Sequence, residues 1–111
     1  MDLKGHNSWR DKIDGAIRAS IHGREFISKH QKYLGCSPEG FRKHIESQFV
    51  GGLNWSNYGN YSAPSKMVWH IDHIIPVYKF DLTKEEDRYV CFNYKNLRPM
   101  WQPDNQRLKL R

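Results

Sequence analysis

Residues 69–80 read WHIDHIIPVYKF, and Pro76 decides much of what this run can become. Proline has no N–H and pushes the residue before it toward an extended backbone, so no regular helix runs through position 76. The apolar and β-branched content of MVWHIDHIIP then predicts a strand that stops at the proline. On a strand, His70 and Asp72 point one way, with Ile71 and His73 nominally the other. The strand is expected to end at His73, where a turn can re-aim the imidazole. A bare Asp-His pair is common by chance, as a surface acid beside a hydrogen-bonded histidine. Three ionisable side chains inside a core-like run ask for more explanation.

With 111 residues, the chain has room for one domain over 1–111 and too little for two ordinary ones. Four tryptophans and six tyrosines argue against disorder. The net charge of +6 and pI of about 9.4 suit an anionic partner, or solubility alone. Cys36 and Cys91 form neither a disulfide framework nor a C-x-x-C zinc pair, so both are expected as buried thiols in a reducing compartment, without a structural zinc. No run has membrane-spanning length and the N-terminus is polar. The expectation is an intracellular protein, not secreted, with no membrane partner.

NSWRDKIDGAIRASI predicts a helix, with Ser8 as cap and Asp11 in the first turn. Trp9, Ile13, Ala16, Ile17 and Ile21 would face inward, leaving Arg10, Lys12 and Arg18 on a basic rim. Arg24 and Lys29 extend that rim. HGREFISKHQKYLG reads as a short helix or a loop with a helical turn. CSPEGFRKHIESQFVGG predicts a helix capped by Ser37, opened by Pro38 and ended by Gly51-Gly52, with Phe41, Ile45 and Phe49 as its packing face and His44 as a further candidate for it. LNWSNYGNYSAPSK is loop; its Trp55 and Tyr58 either plug the core or stack on nucleic acid. DLTKEEDRYVCFNY predicts a helix with Thr83 and Glu86 as a capping box, NLRPMW a short strand, and QPDNQRLKLR a final helix. The fold class is therefore α+β, a mostly helical first half (1–52) packed on a very small sheet.

A carboxylate oxygen is a good hard ligand for magnesium, and a neutral imidazole is a good base near neutral pH. Asp72 and His73 place both at adjacent positions. Phosphodiester hydrolysis needs both functions: a cation against phosphate charge and the leaving oxygen, and a base for the attacking water. A second ligand must come from elsewhere; the last segment offers Asp104 and Asn105, with Asn93 and Asn96 lying between.

WHIDHIIP, then CFNYKNLRPMW, then PDNQRLK together resemble the HNH endonuclease family, in the branch common among phage and homing-type nucleases. LGCSPEGFRKHIESQF, LNWSNYG and FDLT are also similar, so the likeness runs over residues 30–109. The resemblance implies a ββα-metal finger within residues 66–111 and a DNA endonuclease that uses one Mg2+ or Mn2+. It makes His73 the general base and Asp72 a metal ligand. Asn96 would brace the loop between the strands and orient the histidine. Asn105 would be the second metal ligand, giving an H-N-N version of the motif. The products implied are 5′-phosphate and 3′-hydroxyl ends. The chain departs from the branch at NQRLKLR, where either Arg107 or Lys109 stands in for the usual basic residue toward DNA. Arg98 stands where many relatives carry glutamine, and either contacts phosphate or forms a surface salt bridge.

His70 either touches the scissile phosphate or metal site, or is packed and hydrogen-bonded. His6, His22, His30 and His44 lack partners at ligand spacing and are expected on the surface or rim. Trp69 and Trp101 bracket the two strands and are expected in the core. Arg10, Lys12, Arg18, Lys95, Arg98, Arg107 and Lys109 form the expected DNA-binding set, giving salt-dependent, sequence-blind affinity for duplex DNA. A monomer nicks one strand at a time, whereas a double-strand break needs a dimer or a second encounter. The alternatives are a catalytically weak DNA-binding module in a packaging or repair assembly, and an RNase or non-specific toxin nuclease.

Overall fold

A computed structural model describes residues 2–23, 27–59 and 68–101. The segment expected as a final helix, with Asn105, Arg107 and Lys109, lies outside the described residues, as does Arg24. Within them, three α-helices pack with a two-stranded antiparallel sheet, an α+β arrangement.

Helix α1 spans Ser8–Ile21 and buries Ile13, Ala16, Ile17, Ser20 and Ile21. Ser8 does not cap it. The carboxylate of Asp2 accepts from the Asn7 and Ser8 backbone N–H groups instead, because the chain folds back before the helix starts. The ambiguous stretch after it holds a 3-10 turn at Gln31–Leu34. Helix α2 is Pro38–Glu46, and Ser37 Oγ accepts from the Gly40 N–H at 3.0 Å, as expected of an N-cap. It ends at Glu46, before the Gly51-Gly52 pair; the glycines serve a later turn, at φ +57° and +92°.

Strand β1 is Trp69–His73 and strand β2 is Leu97–Trp101. Their register pairs Trp69 with Trp101, Ile71 with Pro99, Asp72 with Arg98 and His73 with Leu97. Among the described residues β2 pairs with β1 alone, so Pro99 costs no second ladder. The strand-to-strand connection holds a 3-10 turn at Val77–Lys79, helix α3 at Glu85–Cys91 and a 3-10 turn at Tyr94–Asn96. Thr83 and Glu86 form no capping box. Asp81 accepts from the Thr83 N–H and hydroxyl, and Asp87 accepts from the Asp81 N–H, so a local turn outcompetes the cap.

One core joins these elements. Ile13 and Ile17 of α1, Phe41 and Ile45 of α2, Trp69 of β1, Phe92, Leu97 and Leu82 are buried together with Tyr33 and Leu34. Each fully buried large side chain contributes about 1.5–3 kcal/mol. Trp69 is fully buried and donates its indole N–H to the Asn54 carbonyl at 2.6 Å. Phe49, Trp55 and Tyr58 ring it, with Tyr58 at 4.7 Å between centroids. Trp101 is half-buried against the same cluster. The aromatics of the loop therefore plug the core.

Arg88 of α3 is 7% exposed, which nothing in the sequence singled out. Its guanidinium lies 3.8 Å from the Trp9 ring centroid, donates to Tyr33 Oη at 3.1 Å and donates to the Leu82 carbonyl at 2.8 Å. It ties α3 to α1 and to the turn between α1 and α2.

Candidate active site

The site is built on the C-terminal end of β1. After His73 the chain turns, and the turn is fastened to Asn96 just before β2. The Ile74 N–H donates to the Asn96 carbonyl at 2.8 Å, and the Ile75 N–H donates to Asn96 Oδ1 at 2.8 Å. Asn96 Nδ2 donates to the Cys91 carbonyl at 2.9 Å and to the Ile75 carbonyl at 3.3 Å. Asn96 is itself buried, so this short amide joins the end of α3 to the turn after β1. The His73 ring packs edge-on against Phe92 at 5.1 Å, the residue that follows α3.

Asp72 does not share the surroundings of its neighbour. Its Oδ2 accepts from Arg98 Nε at 3.0 Å across the β ladder, with side-chain exposures of 14% for Asp72 and 34% for Arg98. Arg98 thus forms a salt bridge, and the pair is partly buried rather than on the surface.

His70, Ile71 and His73 line one cleft of about 400 Å³, together with Arg10, Asp14, Ile17, Arg18 and His22 from α1 and its end. Tyr58 and Gly59 complete the lining. The loop approaches closely there: Gly59 sits at φ +53°, its N–H donates to the Trp69 carbonyl at 2.8 Å, and a Cβ on it would stand 3.5 Å from His70 Cδ2. His70 therefore shares its cleft with His73, although strand alternation set the two on opposite faces.

The expected DNA-binding set divides. Arg10 and Arg18 line the cleft, whereas Lys12 lies over the Trp9 ring at 4.6 Å and Lys95 is exposed beside the Tyr94 ring at 5.8 Å. Asp14, Tyr58 and His22 were not foreseen as cleft residues. Arg10, Asp14, Arg18 and His22 stand four apart, a single helical stripe, and that spacing was the available signal. Burial pushes the Asp14 carboxyl above the ordinary carboxylate range, against the opposing pull of Arg10 and Arg18.

The other histidines have packing roles among the described residues. His6 Nε2 lies 2.9 Å from the Phe80 carbonyl, and His44 Nε2 lies 3.1 Å from the Leu97 carbonyl. His44 is half-buried rather than a rim residue, stacked edge-on against Tyr94. His30 packs between Trp9 and Tyr33, and burial, followed by Lys29 and other nearby cations, lowers its pKa. Cys91 is buried and Cys36 is only half-buried; both are free thiols.

Of the residues expected to hold a divalent cation, the described ones supply one anionic oxygen donor, the Asp72 carboxylate, while the cleft lining itself carries the Asp14 carboxylate. No group of three His, Cys, Asp or Glu side chains comes together among them. That donor chemistry suits a hard ion that keeps water and substrate oxygens as ligands, as magnesium does, more than a tetrahedral zinc site. Asn105, the second expected ligand, lies outside the described residues.

The geometry thus defines an α+β chain with a histidine-lined cleft at a strand end. The chain is 43% identical over 76 residues, 68% of its length, to an uncharacterized protein of Acanthamoeba polyphaga mimivirus. It is 33% identical over 70 residues, 63% of its length, to a second uncharacterized protein of the same virus. These matches span 30% and 28% of the two viral proteins, so the chain corresponds to under a third of each. No family profile and no solved structure matches the chain. Among the described residues, no helix is long and apolar enough to cross a membrane.

Proposed function

We propose that the chain is a metal-dependent DNA endonuclease of HNH type. The observation that carries this reading is the setting of His73: a strand-end imidazole in a cleft, beside a partly buried carboxylate, with Asn96 fastening the turn that follows. The sequence resemblance names the same three residues and adds Asn105.

His73 takes a proton from the attacking water, which a neutral imidazole does well near pH 7. The Phe92 edge limits how the ring can tilt, and Asn96 fixes the turn just beyond it. Asp72, held by Arg98 through Oδ2, presents its carboxylate in a fixed orientation and, with Asn105, would hold Mg2+ or Mn2+. When bound, the ion supplies charge neutralisation at the phosphate and stabilisation of the leaving 3′ oxygen. In-line attack then leaves 5′-phosphate and 3′-hydroxyl ends. His70 borders the same cleft and faces the substrate phosphate.

The viral origin of the relatives supports an intracellular setting during infection or in a mobile element. The monomer carries one such site and nicks one strand per encounter. Incubation of the protein with duplex DNA, single-stranded DNA and RNA of one sequence, in magnesium or manganese, tests the reading. Cleavage of duplex DNA with 5′-phosphate ends is the expected result. Faster cleavage of RNA would favour the ribonuclease alternative. Binding of all three without cleavage in either metal would leave only a binding module.

A further inference from the structure

We propose that Arg10 and Arg18 form a phosphate seat in the cleft they share with His70 and His73, and that this seat holds the nucleic-acid strand against His73. The binding half of this inference stands on the cleft alone; its catalytic half rests on the endonuclease reading.

Helical spacing carries the argument. Arg10, Asp14 and Arg18 are successive members of an i, i+4, i+8 row, so they form one ridge of α1. His22 continues that row at the helix end. The ridge forms one wall of the cleft and β1 supplies His70, Ile71 and His73. Two guanidiniums therefore stand across from two imidazoles, over a volume of about 400 Å³, within the range of small-ligand sites. Arg10 and Arg18 are two turns apart, about 12 Å along the axis, a spacing that suits two separate phosphates of a strand better than one isolated anion. Arginine's planar fork is well matched to phosphate oxygens.

The remaining charges make the seat specific to these two arginines. Lys12 is off the ridge and occupied with Trp9. Arg18 makes no ion pair among the described residues, and Arg10 has only a long contact to Asp14, at 3.9 Å between Nε and Oδ2. Asp14 is the one acid in the lining. Its carboxylate reduces the positive potential of the seat, so removing that charge strengthens binding of an anionic strand.

The test measures binding to a duplex oligonucleotide by fluorescence anisotropy, with the whole chain in EDTA, over a salt series. Arg10→Ala and Arg18→Ala should each weaken binding several-fold and flatten the slope of log affinity against log salt by about 0.9. Arg18→Lys should retain the wild-type slope, and Asp14→Asn should bind more tightly. Lys43→Ala, on exposed α2 and paired with Glu39, should match wild type. Both arginines are exposed, so their variants keep the core intact. Unchanged slopes in the Arg10 and Arg18 variants, or an equal loss in Lys43→Ala, would overturn the seat. Flattened slopes from a protein that cuts nothing in magnesium or manganese support the seat and sink the nuclease reading alone. Metal-dependent cutting with unchanged slopes does the reverse.

Discussion

Asp72 and Arg98 face each other across the two-stranded ladder, and Arg98 Nε donates to Asp72 Oδ2 at 3.0 Å. One carboxylate oxygen is therefore held by a fixed cation next to the proposed base. In this arrangement Arg98 orients Asp72 rather than reaching outward to phosphate. The pair lies between the fully exposed and fully buried extremes, where breaking it leaves a partly desolvated carboxylate.

Arg98→Ala should destabilise the fold by about 1–2 kcal/mol, the worth of a charge-assisted hydrogen bond discounted for partial exposure. If Asp72 also binds a divalent ion, magnesium should recover more stability in this variant than in wild type. Thermal melts with and without magnesium measure both effects. Equal melting temperatures, with equal responses to magnesium, would show that the ion pair neither supports the strand nor borders a metal seat.

Asn96→Ala removes three side-chain hydrogen bonds and leaves the Ile75 N–H and the Cys91 carbonyl without this partner. A loss of about 2–4 kcal/mol follows. Asn96→Asp keeps the acceptor for the Ile75 N–H but loses both donors, so it should also be destabilised. Urea unfolding reads this directly. A wild-type midpoint for Asn96→Ala would contradict the bracing role.

Arg88→Lys keeps the charge and loses the fork that reaches Tyr33 and Leu82 while stacking on Trp9. The expected cost is about 1–3 kcal/mol, because an ammonium cannot make both bonds from one plane. A tryptophan fluorescence change from Trp9 should accompany it. An unaltered unfolding curve would mean that the buried guanidinium contributes no more than a lysine does.

Burial pushes the Cys91 thiol up to about 12, whereas an unfolded cysteine titrates near 8.5. The folded pKa is the higher, so the folded state holds the proton longer. Stability from this group is full below about pH 8.5 and declines as pH rises toward 12. Native protein should react with a thiol reagent first at half-buried Cys36, with Cys91 reacting only on unfolding. Equal, rapid labelling of both cysteines would place Cys91 outside the core.

Much of this arrangement was legible in local sequence. Pro76 and the apolar run fixed the end of β1, and Ser37-Pro38 fixed the start of α2, because each acts through its immediate neighbours. The failures came from competing local hydrogen bonds at the helix starts and from long-range contacts elsewhere. Asp2 displaced Ser8 as the cap of α1, and Asp81 captured Thr83 before it could cap α3. Nothing in the sequence singled out Arg88, because its partners, Trp9 and Tyr33, lie 79 and 55 positions away in the chain. The pairing of Asp72 with Arg98 needed the strand register, which composition and spacing do not supply. The ridge of Arg10, Asp14 and Arg18 was visible as a repeat of four, but only the fold turns it toward His73.

The most direct test of the central claim is cleavage of supercoiled plasmid in magnesium, in manganese and in EDTA, run beside His73→Ala. The account predicts conversion to open circles in either metal, none in EDTA, and none with His73→Ala although that variant still retards the plasmid. Cutting by His73→Ala at the wild-type rate would contradict the assignment of the base. Retardation without cutting by the wild-type protein in both metals would contradict the endonuclease itself.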